Sequence, residues 1–308
     1  MSGAASGPSR APYALLAPFV ILFVVFTLWP LVQSVPLSMS HTFGPGASLH
    51  VGWSKFSLAL EDPRFYTALR NTLVFTAGSV FIQLPVALAL AVALNQPWLR
   101  GRTLFRLAFF APQLVGLVFT AVLARVLFQK QNGLANTLLA EIVGPLNSLA
   151  PGVFPSPGAM LETPWLEGLA LTTLIVTALW MYAGFNMVFF LAALQNVSRE
   201  LEEAATIDGA GRWARFRHVT IPAIRPVAAF VVLLSIIGSF QLFEMPYIML
   251  EEGTGPRDKG LTLVTYLYKN GFEAGDLGYA TAIGWLLALL LGGVAVAQRV
   301  LVRDEAKP

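Results

Sequence analysis

The sequence predicts an all-α integral membrane protein, a six-helix transmembrane bundle with the N and C termini cytoplasmic. Three observations carry that expectation. Hydrophobic residues make up 56% of the 308 and charged residues 12%, with a mean hydropathy of +0.67. So few charges do not cover a water-facing globule of this size, whereas a bilayer solvates apolar side chains directly. Six long stretches carry no charge at all, and the basic residues fall unevenly on the segments between them.

The uncharged stretches are Tyr13 to Met39, Asn71 to Leu99, Leu107 to Ala124, Gly168 to Ser198, Val227 to Phe243 and Leu277 to Gln298. A membrane helix needs about 20 mainly apolar residues, and all six qualify, the third and fifth narrowly. Spans are expected near 13–36, 71–95, 105–128, 168–195, 223–247 and 277–300, within one transmembrane domain over 1–308. Pro30 and Pro85 suit a membrane bundle, where neighbouring helices and hydroxyls satisfy the carbonyls that proline frees. Arg10 before the first run and the small-x-small triplet Ser38-Met39-Ser40 also fit a cleaved signal peptide. The apolar region is longer than the roughly 7–15 residues of a signal, so an uncleaved span is expected.

Arginine and lysine set the orientation. With an inner N-terminus, the inner segments hold twelve of the twenty basic residues and six of the seventeen acidic ones, leaving the inner side at +6 and the outer side at −3. The pI of 9.3 is thereby read through topology, not as a nucleic-acid footprint. The outer connections, roughly 40–70, 129–167 and 244–276, are long. The second holds Pro145, Pro151, Gly152, Pro155, Pro157 and Gly158 and is expected to form turns and short interfacial helices.

The one sizeable inner loop covers 196–222. Ser198 is placed to cap a helix whose first turns carry Glu200, Glu202 and Glu203, where the helix dipole favours anions. Gly209 follows Asp208 as a C-terminal breaker and is expected at positive φ. A second amphipathic stretch, Arg212 to His218, leads to Pro222, giving a helix–turn–helix under the membrane. Arg212, Arg215 and Arg217 suit lipid phosphates. Ala204, Ala205, Gly209, Ala210 and Gly211 leave the middle bare of bulk, a surface another protein's backbone approaches closely.

Glu203-Ala204-Ala205, Asp208-Gly209-Ala210, Phe216, Ile221-Pro222 and Pro226 resemble the Glu-Ala-Ala loop of permease subunits of binding-protein-dependent ABC importers. The rest of the chain is similar to the first permease of the maltose- and glycerol-3-phosphate-type branch. Asp62-Pro63-Arg64-Phe65, Asn71-Thr72, Phe105-Arg106, Gly133-Leu134 with Asn136, Ser239-Phe240 and Gly278-Tyr279-Ala280 carry that likeness. After the fifth span the branch has Thr-x-Gly-Gly-Pro, where this chain has Gly253-Thr254-Gly255-Pro256. The resemblance implies half of a translocation path in a bacterial or archaeal plasma membrane. It also implies a second permease subunit, two ATPase subunits docked on Glu203 to Gly211, and an extracytoplasmic solute-binding protein.

Catalytic signatures are missing. A P-loop needs Gly-Lys-Ser/Thr, and none of the five lysines follows a glycine. His41, His50 and His218 lack metal spacing and read as loop residues, and zero cysteines exclude disulfides and thiolate sites. No cofactor and no nucleic-acid partner is expected. A carbohydrate wants aromatic faces and fixed polar groups. Tyr182, Asn186 and Phe189 share a helical face on the fourth span, and Phe240, Phe243, Glu244 and Tyr247 another on the fifth, with Ser239 close by. The alternative for these side chains is helix–helix packing or an interfacial belt. For the whole chain the alternatives are import of glycerol-3-phosphate or another polar solute, a membrane enzyme acting on lipid or polyprenyl sugar, or a scaffold.

Overall fold

The computed structural model describes residues 11–42, 48–96, 98–131, 133–149 and 156–304. Arg10, Pro151, Gly152, Pro155 and Lys307, which entered the expectations above, lie outside them. The chain divides into two compact units, 1–61 with 267–286 and 62–266 with 287–308.

Among the described residues five helices are long and apolar enough to cross a membrane: Leu15–Ser38, Pro63–Leu94, Ala170–Gln195, Arg212–Phe240 and Leu277–Val300. A sixth crossing is counted only if Arg102–Val115 and Leu117–Leu127 are taken together. The span expected near 105–128 is a bent pair. The two helices meet at 96° across Gly116, whose φ of +89° ends the helical path at a residue that bears no Cβ to object.

In the first unit, α1 covers 11–38, and none of its apolar span is buried in the protein. β1 (Ser40–Thr42) pairs antiparallel with β2 (Ser48–His50), His41 opposite Leu49. α2 (Ser54–Glu61) follows. The segment 267–286 joins them closely, since a Cβ on Gly278 would sit 1.7 Å from the Ser40 carbonyl oxygen. Lys55, 6% exposed, lies with its ammonium 2.5 Å from Asp276 Oδ2, and His41 Nδ1 lies 2.9 Å from the same oxygen. The histidines are therefore not loop residues: His41 and His50 stand in paired strands and His218 in a helix.

The second unit is built around α3 (Pro63–Leu94) and α7 (Ala170–Gln195), the second a helix with buried residues on most of its faces. Asp62 caps α3, accepting from Arg64 N–H at 2.8 Å with Pro63 at the first helical position. α4 (Arg102–Val115) crosses α7 so closely that a Cβ on Gly184 would lie 1.9 Å from the Phe109 carbonyl oxygen. α5 (Leu117–Leu127) packs on α10 (Glu244–Met249). In the 129–167 connection, Leu134–Leu149 forms one helix, α6, instead of short pieces; only Pro157–Leu161 and Trp165–Gly168 are short. α8 (Arg199–Ile207) begins after Ser198, whose side chain makes no capping bond. α9 runs unbroken from Arg212 to Phe240, so the amphipathic stretch after Gly211 is the first part of the membrane helix. α11 (Leu263–Tyr268) and α12 (Leu277–Asp304) complete the chain.

Three wide turns have a common cause. Val24–Leu28, Ser79–Gln83 and Phe216–Thr220 each close a bond five residues apart, and each ends two residues before a proline, Pro30, Pro85 or Pro222. A proline ring displaces the carbonyl four residues earlier. A single π turn moves that carbonyl aside without ending the helix.

Candidate functional site

Two apolar cores of the second unit are stacked along α7. The first gathers Phe75, Leu174, Ala178, Met181, Leu242 and Met245, and the second Leu84, Met187, Phe190, Leu191, Ile224 and Val231. A cavity of about 150 Å³ opens at this boundary, lined by α3, α7 and α9.

Its polar lining is Ser79, Gln83, Tyr182, Asn186, Ser235 and Ser239. At 1.5 Å per residue, Tyr182 and Asn186 lie about 18 and 24 Å along α7, near its middle. They sit one turn apart and so share a face, as their spacing implied. The π turn supplies Ser79 and Gln83, again four apart, and α9 supplies the serines. Gln83 is 4% exposed and Asn186 7%, yet neither amide has a hydrogen-bond partner among the described residues. Neither amide is closed off from solvent, and both open on the cavity. These two are left for whatever fills the cavity. Ser79 and Gln83 escaped the sequence reading, although an intramembrane Ser/Gln pair at one-turn spacing is the same signal that singled out Asn186.

The other candidates are placed differently. Phe189 is turned toward packing, with ring centroids 5.1 Å from Phe185 and 6.2 Å from Phe230; Phe185 lines the cavity instead. Phe240, Phe243, Glu244 and Tyr247 do not share a helical face, because α9 stops at Phe240 and α10 starts afresh at Glu244. Phe240 is buried in packing. Phe243 and Tyr247 stack at 5.1 Å, and Glu244 is exposed. Of this group only Ser239 reaches the cavity.

At the other candidate surface, Glu203, Ala204, Asp208, Gly209 and Gly211 are exposed and Ala205 and Ala210 half-buried. Gly209 takes a φ of +82° with nothing within 4 Å of a would-be Cβ. Its N–H donates to Thr206 O at 3.1 Å and Ala210 N–H to Ala205 O at 2.9 Å, closing α8. Arg215 Nη1 donates to Thr206 Oγ1 at 2.7 Å and holds α9 against that turn. Ile207, 86% exposed, stands on this surface, an apolar side chain with no cover.

Residues 8–305 match the family described as "Binding-protein-dependent transport system inner membrane component". Similar proteins include the "Arabinooligosaccharides transport system permease protein AraP" of Bacillus subtilis, 37% identical over 284 residues that cover 91% of this chain and 85% of AraP. Another is the "Lactose transport system permease protein LacF" of Rhizobium radiobacter, 35% identical over 296 residues, covering 95% and 94%. Among solved structures the fold recurs in "a bacterial ABC transporter involved in the import of the acidic polysaccharide alginate", with a TM-score of 0.79, 23% identity and 96% of both chains covered. This chain belongs to the family of inner membrane components of binding-protein-dependent transport systems, with the fold of an ABC importer permease.

Proposed function

We propose that the chain is one of two permease subunits of an ATP-driven importer, carrying a carbohydrate delivered by an extracytoplasmic binding protein. In this reading it crosses the membrane six times with both termini cytoplasmic, the bent pair α4–α5 counting as one crossing. Two ATPase subunits hydrolyse ATP elsewhere in the complex and dock on the Glu203–Gly211 segment. Their closure moves that segment and switches the bundle between inward- and outward-facing states, coupling two sites through a two-state element.

The observation that supports this reading is the cavity with two unpartnered amides, Gln83 and Asn186, beside the Tyr182 ring. Amides and hydroxyls match sugar hydroxyls, and an aromatic face matches the apolar side of a pyranose ring. No charged residue lines it, which favours a neutral sugar over glycerol-3-phosphate, since a phosphate calls for a cation. The relatives' names, an arabinooligosaccharide and a lactose permease, point the same way.

The test is substrate-stimulated ATP hydrolysis by the reconstituted complex with its binding protein, across a panel of sugars. Asn186→Ala and Gln83→Ala each remove a hydrogen bond of about 0.5–1.5 kcal/mol and should weaken the response to the active sugar about 2- to 13-fold, with assembly intact. Unchanged kinetics in both variants would return these amides to helix packing.

A further inference from the structure

A second, larger concavity lies at the end of the bundle that carries the 196–222 loop. It has a volume of about 760 Å³ and is bounded by the last turns of α3 and the first turns of α9. Val92 comes from the apolar helix and Trp98 from the turn after it; Glu202, Arg212, Trp213 and Arg215 come from the loop side. None of Glu203 to Gly211 lines it, although Arg215 on its wall is bonded to Thr206 of that segment.

We propose that this groove holds the phosphate of one anionic phospholipid headgroup. The arginines provide the charge. Arg212 has no hydrogen-bond or ion-pair partner among the described residues. Arg215 uses Nη1 on Thr206, while its Nε is closed off from water with no acceptor. A buried donor without an acceptor is rare enough to need an explanation, and a modest turn of the guanidinium toward a phosphate oxygen supplies one. Glu202 is the only carboxylate on the lining, one negative charge against two positive. Arg212 also begins a helix of 29 residues, so the positive end of its dipole faces the same space.

The apolar side of the groove sets the ligand's class. Trp98 and Trp213 are 75% and 71% exposed, and exposed tryptophans at the ends of membrane helices mark the headgroup level of a bilayer. Val92 continues that side into the apolar run. A free phosphate would fill a small part of this volume and leave the exposed indole of Trp98 uncovered. A phospholipid places its phosphate on the arginines, its glycerol between the indoles and its first methylenes on Val92.

Native mass spectrometry of the assembled complex, titrated with phosphatidylglycerol or phosphatidylcholine, tests this. The expected result is one phosphatidylglycerol retained in preference to phosphatidylcholine. Retention should weaken about 30-fold in Arg212→Gln/Arg215→Gln, from about 1 kcal/mol for each basic residue at a membrane surface. Inorganic phosphate at millimolar concentration should leave the lipid in place. Where the double variant fails to assemble, Trp98→Ala, outside every helix, should show a smaller loss of the same lipid. Equal retention of both lipids overturns the proposal, as does unchanged retention in the variants. Displacement by inorganic phosphate would make the ligand a free anion. Loss of the ATPase from the double variant with lipid retention unchanged would make the groove a protein interface.

Discussion

At Gly209 the φ of +82° separates two effects that a substitution would otherwise mix. A Cβ there meets nothing within 4 Å, so Gly209→Ala carries only the left-handed backbone cost of roughly 1–2 kcal/mol. Gly209→Arg carries the same cost and adds a bulky side chain on the exposed ridge beside Glu203 and Ile207. If this ridge is the ATPase contact, the complex should keep its ATPase in Gly209→Ala and lose it in Gly209→Arg. Co-purification through a tag on this chain reads both. Retention at the parental level in Gly209→Arg would remove the ridge from the coupling mechanism.

Asp276 carries the clearest pH dependence. Burial by itself would push its carboxyl up. The Lys55 hydrogen bond, the Tyr279 backbone N–H and the charges of Lys55 and His41 overcome that and hold it below the model-compound value of 3.8. A carboxyl that is more acidic in the folded state stabilises the fold above its unfolded pKa, and that contribution is lost as the pH falls through the folded value. The gap in melting temperature between the parent and Asp276→Asn should therefore be full near neutrality and narrow only below about pH 4. A gap that is constant down to pH 3 would show that the carboxylate's charge contributes nothing.

Among the elements, the crossing of α4 on α7 has the least tolerance. Phe109 approaches Gly184 so closely that only a hydrogen fits, the small-residue contact by which membrane helices bring their backbones together. Gly184→Ala should force the helices apart and cost about 1–3 kcal/mol. Thermal unfolding in detergent, followed beside the neutral control Gly292→Ala, which has open space, reports it. The N-terminal end of α3 and the 250–266 segment are held together by side chains from motifs that the sequence displayed without explaining. Asn71 Nδ2 donates to the carbonyls of Asp258 and Leu261 at 2.9 and 3.0 Å, and Arg64 pairs with the Asp258 carboxylate through Nε and Nη2 at 2.9 and 3.0 Å. Tyr266 donates to Asp62. These bonds hold a segment in which Glu252, Arg257 and Asp258 all take positive φ, a backbone that persists only when its surroundings over-determine it. Asn136 acts similarly on the 129–167 connection, accepting from Trp165 Nε1 at 2.6 Å and donating toward Leu161 O at 3.2 Å.

For the whole molecule, the testable expectation is topology. The excess of arginine and lysine on the segments that hold both termini predicts that a reporter fused after Lys307 is cytoplasmic, and that one inserted between Gly253 and Lys259 is not. A reversed result would overturn the six-crossing reading together with the side on which the 203–211 segment meets its partner.

Solvation was legible in the sequence, because burying a charge in hydrocarbon is so costly that long uncharged runs mark candidate membrane helices. The turn at Gly209 was legible too, since its cause is local: a breaker glycine directly after a short helix. So was the pairing of Tyr182 with Asn186, which follows from helical period alone. The tertiary structure decided what depends on more than one segment or on the path of the backbone. The third run bends by 96° at Gly116, and an uncharged composition is the same for a straight span and a bent one. The fifth ends at Phe240, which scatters Phe243, Glu244 and Tyr247 off the face that an unbroken helix would have given them. Gln83 and Ser79 face Asn186 because the proline at 85 widens the preceding turn, and because α3 and α7 pack at that level. Spacing along one helix says which side chains share a face; only packing says which faces meet and where a gap is left between them.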